Sequence, residues 1–121
     1  MKKKILIMLA AIILLAAFAS CGGVKKEDVI GSWVWTYHES KDGERTSTTE
    51  SDLRVSGYLR IKEETFEVKF WDEYDPCTWK LSGSNIKTYS LEGEELDTYV
   101  YKDGELILEL PNGSKRIYIK Q

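Results

Sequence analysis

The sequence predicts an all-β fold: a small antiparallel up-and-down β-barrel of about eight strands, preceded by a cleaved signal peptide. Three features point to it. From Val29 onward, turn signals recur at nearly even spacing and leave only short segments between them. Within those segments apolar and polar residues alternate, the period of a strand with one wet and one buried face. No long stretch beyond Ser20 repeats its apolar residues at the helical period.

Taken in chain order, the first element is the export signal. Lys2, Lys3 and Lys4 precede an uncharged run from Ile5 to Phe18, which ends in the small residues Ala19 and Ser20 before Cys21. A charged start, an apolar stretch and a small-residue cut site make a secretory signal. As a helix, Ile5 to Phe18 would span about 21 Å, short of the ~30 Å hydrocarbon core, so a cleaved segment fits better than a permanent anchor. Without residues 1–20 the chain keeps 14 basic and 20 acidic residues, because the signal's only charges are its three lysines. A net charge of −6 argues against nucleic acid as a partner, since binding phosphates needs a basic stripe.

Phe18-Ala19-Ser20-Cys21 resembles the bacterial lipobox, with Phe18 in place of the usual Leu. The resemblance implies that the Cys21 thiol is alkylated with diacylglycerol, that the chain is cut before Cys21, and that the new amino terminus is acylated. Several acyl chains at ~0.8 kcal/mol per buried methylene give a lasting membrane anchor. Gly22, where an Asp would resemble a retention signal, implies the outer membrane of a Gram-negative bacterium, with the domain periplasmic or surface-exposed. The expected organisation is a signal peptide at 1–20, a lipidated tether at 21–28 and one domain at 29–121.

The strands of that domain lie between Lys41-Asp42-Gly43-Glu44, Lys62-Glu63-Glu64-Thr65, Ser82-Gly83-Ser84-Asn85, Glu92-Gly93-Glu94, Lys102-Asp103-Gly104-Glu105 and Pro111-Asn112-Gly113-Ser114. Asp-Gly and Asn-Gly supply the positive φ of tight hairpins. Alternation places Trp33, Trp35 and Tyr37 on one face of the first strand. Later strands repeat the pattern with Leu59 and Ile61, with Phe66, Val68 and Phe70, with Cys77, Trp79 and Leu81, and with Leu106, Leu108 and Leu110. In the last strand Arg116, Tyr118 and Lys120 oppose Ile117 and Ile119, and alternation alone leaves its inner face open.

Val29-Ile30-Gly31-Ser32-Trp33, Tyr58-Leu59-Arg60-Ile61 before Glu64-Thr65-Phe66, Cys77 to Gly83, Gly104 to Leu108 and Arg116 to Lys120 together resemble the lipocalin-like domains of small bacterial lipoproteins, a calycin-type barrel. The resemblance spans 29–121, and its sharpest element is the Gly-x-Trp at Gly31 and Trp33. It implies that Gly31 admits the chain to the first strand, that Trp33 plugs the closed end, and that Arg116 stacks on Trp33 as a cation worth ~0.5–2 kcal/mol. It also implies Arg116 inside and the isoleucines outside. Short strands imply a narrow barrel whose side chains largely fill it.

The polar stretch Glu39 to Asp52 reads as a mobile hairpin, or as a lid over the open end. Trp71 and Tyr74 read as an aromatic rim for a sugar or a protein, or as aromatics folded against the barrel end. Cys77 points inward as a small apolar residue, and His38 outward, so no nucleophile–base pair is expected. No metal site or cofactor is expected, and no catalysis. The chain reads as a lipid-anchored envelope module holding a small apolar or amphipathic ligand against Trp35, Tyr37, Phe70 and Trp79. The alternative is an envelope accessory protein with a filled barrel that binds another protein or a glycan through its outer surface.

Overall fold

The computed structural model describes residues 24–121, so the expected signal peptide and Cys21 lie outside the described residues. The alternating segments become β1 (Gly31–Glu39), β2 (Arg45–Ser47), β3 (Val55–Ile61), β4 (Thr65–Phe70), β5 (Glu73–Ser82), β6 (Asn85–Tyr89), β7 (Glu95–Lys102), β8 (Glu105–Glu109) and β9 (Lys115–Lys120). Neighbours pair antiparallel, and β1 pairs with both β3 and β9. Strands β1 and β3–β9 thus close an eight-stranded up-and-down barrel, which removes the exposed edges an open sheet would have. The short β2 is an addition to this barrel. It pairs with Tyr37 to Glu39 at the end of β1, beyond the Gly31–Val34 stretch that pairs with β3.

One end is shut by a single helical turn, α1 (Lys26–Val29). Val29 is fully buried, and its carbonyl accepts a hydrogen bond from the Trp33 indole N–H at 2.8 Å. The Lys120 ammonium donates to the carbonyls of Glu27 and Asp28 at 3.5 and 3.3 Å. Val24 packs on the core as well, so the folded part includes residues ahead of the expected boundary at Val29. The later half of the expected 21–28 tether is folded because Val24 and Val29 bring apolar surface to the barrel end. Among the described residues no helix is long and apolar enough to cross a membrane.

A bulge in β1 redirects part of the wall. Trp35 lies opposite Tyr118 but Tyr37 lies opposite Ile117, so Thr36 is an extra residue. An extra residue exchanges the faces of all that follow it. Trp33 and Trp35 point inward as expected. Tyr37 instead takes the outer parity of Ile117, and His38 takes the inner parity of Arg116, reversing both expectations. The Thr48 hydroxyl secures the bulge by donating to the carbonyls of Trp35 and Thr36 at 2.8 and 3.3 Å.

This pairing also answers the question left open in the last strand. Arg116 and Tyr118 face inward, Ile117 and Ile119 outward, yet Ile117 is fully buried. Its cross-strand neighbours are Tyr37 and Ile107. Arg45 lies over the Tyr37 ring at 5.6 Å and reaches across β1 and β9 to Glu105, with ion-pair distances of 3.0 Å to Glu39 and 2.9 Å to Glu105.

The stretch from Glu39 to Asp52, expected as a hairpin or a lid, is tied by hydrogen bonds at its turn, to β1 and at its far end. Ser40 and Glu44 close its turn by a 2.7 Å backbone bond, Thr48 clips it to β1, and the Thr49 N–H donates to the Asp52 carboxylate at 2.8 Å. The following 3-10 turn, Asp52–Arg54, sets the Leu53 backbone against Gly57, where any Cβ would collide with it. Gly57→Ala should therefore lower stability by about 1–3 kcal/mol through overpacking, read as a lower urea midpoint. An unchanged midpoint would mean that the turn lifts away at no cost.

Candidate functional site

Aromatic side chains fill the closed half of the barrel. Phe66 and Tyr99 pack at 5.0 Å between centroids, Tyr99 and Tyr118 meet edge-on at 5.9 Å, and Trp33 meets Tyr101 edge-on at 6.3 Å. Space remains in the open half, where a cavity of about 260 Å³ is walled by Val68, Phe70, Cys77, Leu96, Tyr99 and Leu108. Ser56, Asp75, Thr88 and Asp97 add polar groups to it. A larger hollow of about 530 Å³ lies outside the barrel, among charged residues including Glu39, Arg45, Glu105 and Lys115.

Two local features shape the cavity. The pairing of β5 with β6 starts at Thr78, so Glu73 to Cys77 has no strand neighbour on that side. Pro76 lies in this unpaired stretch, where its missing N–H costs least. Opposite, β7 bulges between Thr98 and Glu95. The Thr88 hydroxyl holds the bulge, accepting from the Asp97 N–H at 2.9 Å and donating to the Asp97 carbonyl at 2.8 Å. Leu96 and Asp97 are thereby brought to the cavity wall. A register slip of this kind leaves no mark in the alternation of Glu95 to Tyr101, so sequence reasoning missed both residues.

The four ligand-contact candidates are dispersed. Phe70 lines the cavity and is 38 % exposed at its rim. Trp35 is buried inside the wall, with its indole N–H donating to the Tyr37 carbonyl at 2.8 Å. Tyr37 faces outward after the bulge. Trp79 is buried towards the closed end, where its N–H donates to the Lys62 carbonyl at 2.8 Å and Lys26 covers its ring at 5.2 Å.

The barrel-closing residues are also rearranged. Trp33 occupies the closed end, 1 % exposed. Its cation is Lys120, 5.8 Å above the ring, whose Cε fills the space where a Gly31 side chain would begin, at 2.6 Å. Arg116 stacks instead on Trp35, at 4.1 Å. The reason is register, since Trp33 lies opposite Lys120 in β9 and Arg116 comes further up the barrel. The Arg116 Nε is buried without a hydrogen-bond partner, and its Nη1 reaches the Val55 carbonyl at 3.4 Å. Thr49 holds the nearby Asp52 carboxyl below its usual range, through its backbone N–H and then its hydroxyl, with smaller help from His38 and Arg116.

Trp71 and Tyr74 do not form one rim. Tyr74 lies flat on the outer wall beneath Arg60 at 3.7 Å, whereas Trp71 stands at the hairpin tip, 63 % exposed.

Cys77 lines the cavity, and its thiol donates to the Phe66 carbonyl at 3.1 Å. With His38 also turned inward, opposite faces no longer separate the two residues. Burial, aided by Asp97, pushes the Cys77 thiol up from its ordinary value near 9 to about 11, which disfavours the thiolate. Burial likewise raises the Tyr118 hydroxyl to about 12, against an opposing effect of Arg116. Both groups are neutral when protonated, and the folded chain holds their protons to higher pH than the unfolded one. Their stabilisation is therefore complete below about pH 9 and lost as pH rises towards 11 and 12. Urea midpoints should stay flat up to about pH 9 and then fall, with Cys77 accounting for about 2 kcal/mol by pH 11. In Cys77→Ala the fall should begin about one pH unit later, where tyrosine takes over.

No family model matches the sequence, and no curated protein matches it. Among solved structures, a lipocalin-like protein from Bacteroides uniformis superposes with a TM-score of 0.52 at 19 % identity, covering 78 % of this chain and 99 % of that one. An uncharacterized protein from Bacteroides eggerthii superposes at 0.46 and 13 % identity, covering 76 % and 98 %. Together with the closed eight-stranded meander, the first likeness shows that residues 24–121 adopt a lipocalin-like, calycin-type fold.

Proposed function

We propose that this chain is a lipid-anchored binding module of the cell envelope, which holds a small apolar or amphipathic ligand in the open half of its barrel and performs no catalysis. The observation that carries this reading is the cavity of about 260 Å³ among Val68, Phe70, Leu96, Tyr99 and Leu108. Apolar walls with a few polar groups among them suit a ligand of mixed character, although the volume lies below the usual range for drug-sized ligands. The ligand is therefore small, or only partly enclosed.

The proposed anchor is the diacylglyceryl thioether at Cys21, and the proposed location is the outer membrane of a Gram-negative bacterium. Support for both comes from the signal-like start and the lipobox resemblance. The raised Cys77 thiol supports the non-catalytic reading, because a nucleophile would need the reverse shift. The filled lower barrel and the exposed Trp71 favour a second reading, contact with a glycan or an envelope protein through the outer surface.

Native mass spectrometry of the full-length protein extracted from its own membrane tests the first reading. A small molecule should be retained, and Val68→Trp, which puts an indole into the cavity, should lose it. Retention undiminished in the variant would place the molecule elsewhere. Intact mass of the same sample should show the lipid, and Cys21→Ser should abolish both the added mass and membrane co-sedimentation.

A further inference from the structure

We propose a second binding site, on the outer wall beside Trp71, that takes a carbohydrate bearing a carboxylate. It does not depend on the barrel cavity. Phe70 and Glu73 pair across the β4–β5 hairpin, so Trp71 and Asp72 form its two-residue link. Trp71 has φ 58°, in the left-handed region. The first position of such a link favours glycine, and a bulky side chain there is strained. Elsewhere among the described residues positive φ falls on six glycines, which adopt it without cost, and on the small Ser56 (φ 61°) and Asp103 (φ 51°), so Trp71 is the one bulky residue held there.

Packing normally offsets strain of this kind, but the Trp71 side chain is 63 % exposed. The backbone is fixed by the Trp71 N–H, which donates to the Arg54 carbonyl at 2.7 Å, and any residue would make that bond. The fold therefore gives no reason for an indole at this position. Strain retained for so small a packing return is a mark of function.

The indole borders a groove of about 270 Å³ lined also by Glu50, Leu53, Arg54, Tyr58 and Lys69. Lys69 is held on the wall by two rings, its ammonium 5.0 Å from Tyr58 and 5.7 Å from Tyr74. Neither Lys69 nor Arg54 has an ion-pair partner among the described residues, whereas Arg60 and Lys62 both pair with Glu67. An exposed indole offers a flat face to the C–H groups of a sugar ring, and Glu50 and Arg54 can bond its hydroxyls. Two unpaired cations against one carboxylate leave the groove positive, which selects an acidic sugar over a neutral one.

Calorimetric titration of the full-length protein in detergent, with an oligogalacturonate and with the uncharged galactose oligomer of equal length, tests this. The acidic oligomer should bind about tenfold more tightly or better, and Lys69→Gln should bring the two together. Trp71→Gly should weaken binding of the acidic oligomer by about tenfold or more and leave the thermal midpoint unchanged or higher, since glycine is at ease at φ 58°. Absence of binding by either oligomer, equal binding of both to the unaltered protein, or full binding by Trp71→Gly would overturn the proposal. A midpoint lowered by several degrees in Trp71→Gly would also overturn it, by showing that the indole serves the fold.

Discussion

The rest of the barrel depends on the register between β1 and β9, set by the extra residue Thr36. Below the bulge, Trp33 meets Lys120 and Trp35 meets Tyr118, both tryptophans facing inward. Above it, the faces exchange. Tyr37 goes outside to join Ile117 beneath Arg45, and His38 goes inside with Arg116. Without the bulge, a phenol would enter the open half of the barrel and an imidazole would leave it. The bulge thus gives the seam an apolar outer cover and the mouth a polar inner lining. Thr48 is the residue that fixes it, bonding the carbonyl of Trp35 just before the irregularity and that of the extra residue Thr36.

Barrel width sets a second limit. Eight short strands enclose only enough room for their own side chains. Trp33, Phe66, Trp79, Tyr99 and Tyr118 take up the lower part, so space can persist only where the wall is irregular. It does so between the unpaired start of β5 and the bulge of β7. The same irregularities leave Phe70 and Leu96 partly exposed, at 38 % and 52 %. Cavity and apolar rim have one cause, a local loss of strand pairing.

Much of the fold was legible because strand alternation and turn chemistry act locally. Cys77, Trp79, Leu59, Ile61, Phe66, Leu106 and Leu108 are all buried, in keeping with their parity. What could not be read was register. Alternation fails at each bulge and so sets Tyr37 and His38 on the wrong faces, while the resemblance pairs Arg116 with Trp33 where the strand offset delivers it to Trp35. Lys120 is hidden as the partner of Trp33 because a lysine near the end of a strand reads as ordinary surface. Only the cross-strand pairing identifies it. Most of the candidate cavity was illegible for the same reason: of the four residues proposed to meet a ligand, only Phe70 lies on its wall.

The two ends of the barrel differ in chemistry. At the closed end, Lys26 of α1, Glu63 of the β3–β4 turn and Lys120 of β9 make polar contacts, and Trp33, Trp79 and Val29 are covered. At the open end, Val55, Phe70, Trp71, Leu91 and Leu96 are exposed. Val24 already packs on the closed end, and a lipid at Cys21 would be only three residues, at most about 11 Å, away from it. Under the proposed anchoring, the closed end stays near the membrane while β1, nine residues long, carries the open end as much as about 30 Å further out. Apolar surface at the anchored end would tend to sink into the bilayer. Placed at the far end, it is free to meet ligands and partners arriving from the aqueous side, and both the cavity and the Trp71 groove lie there.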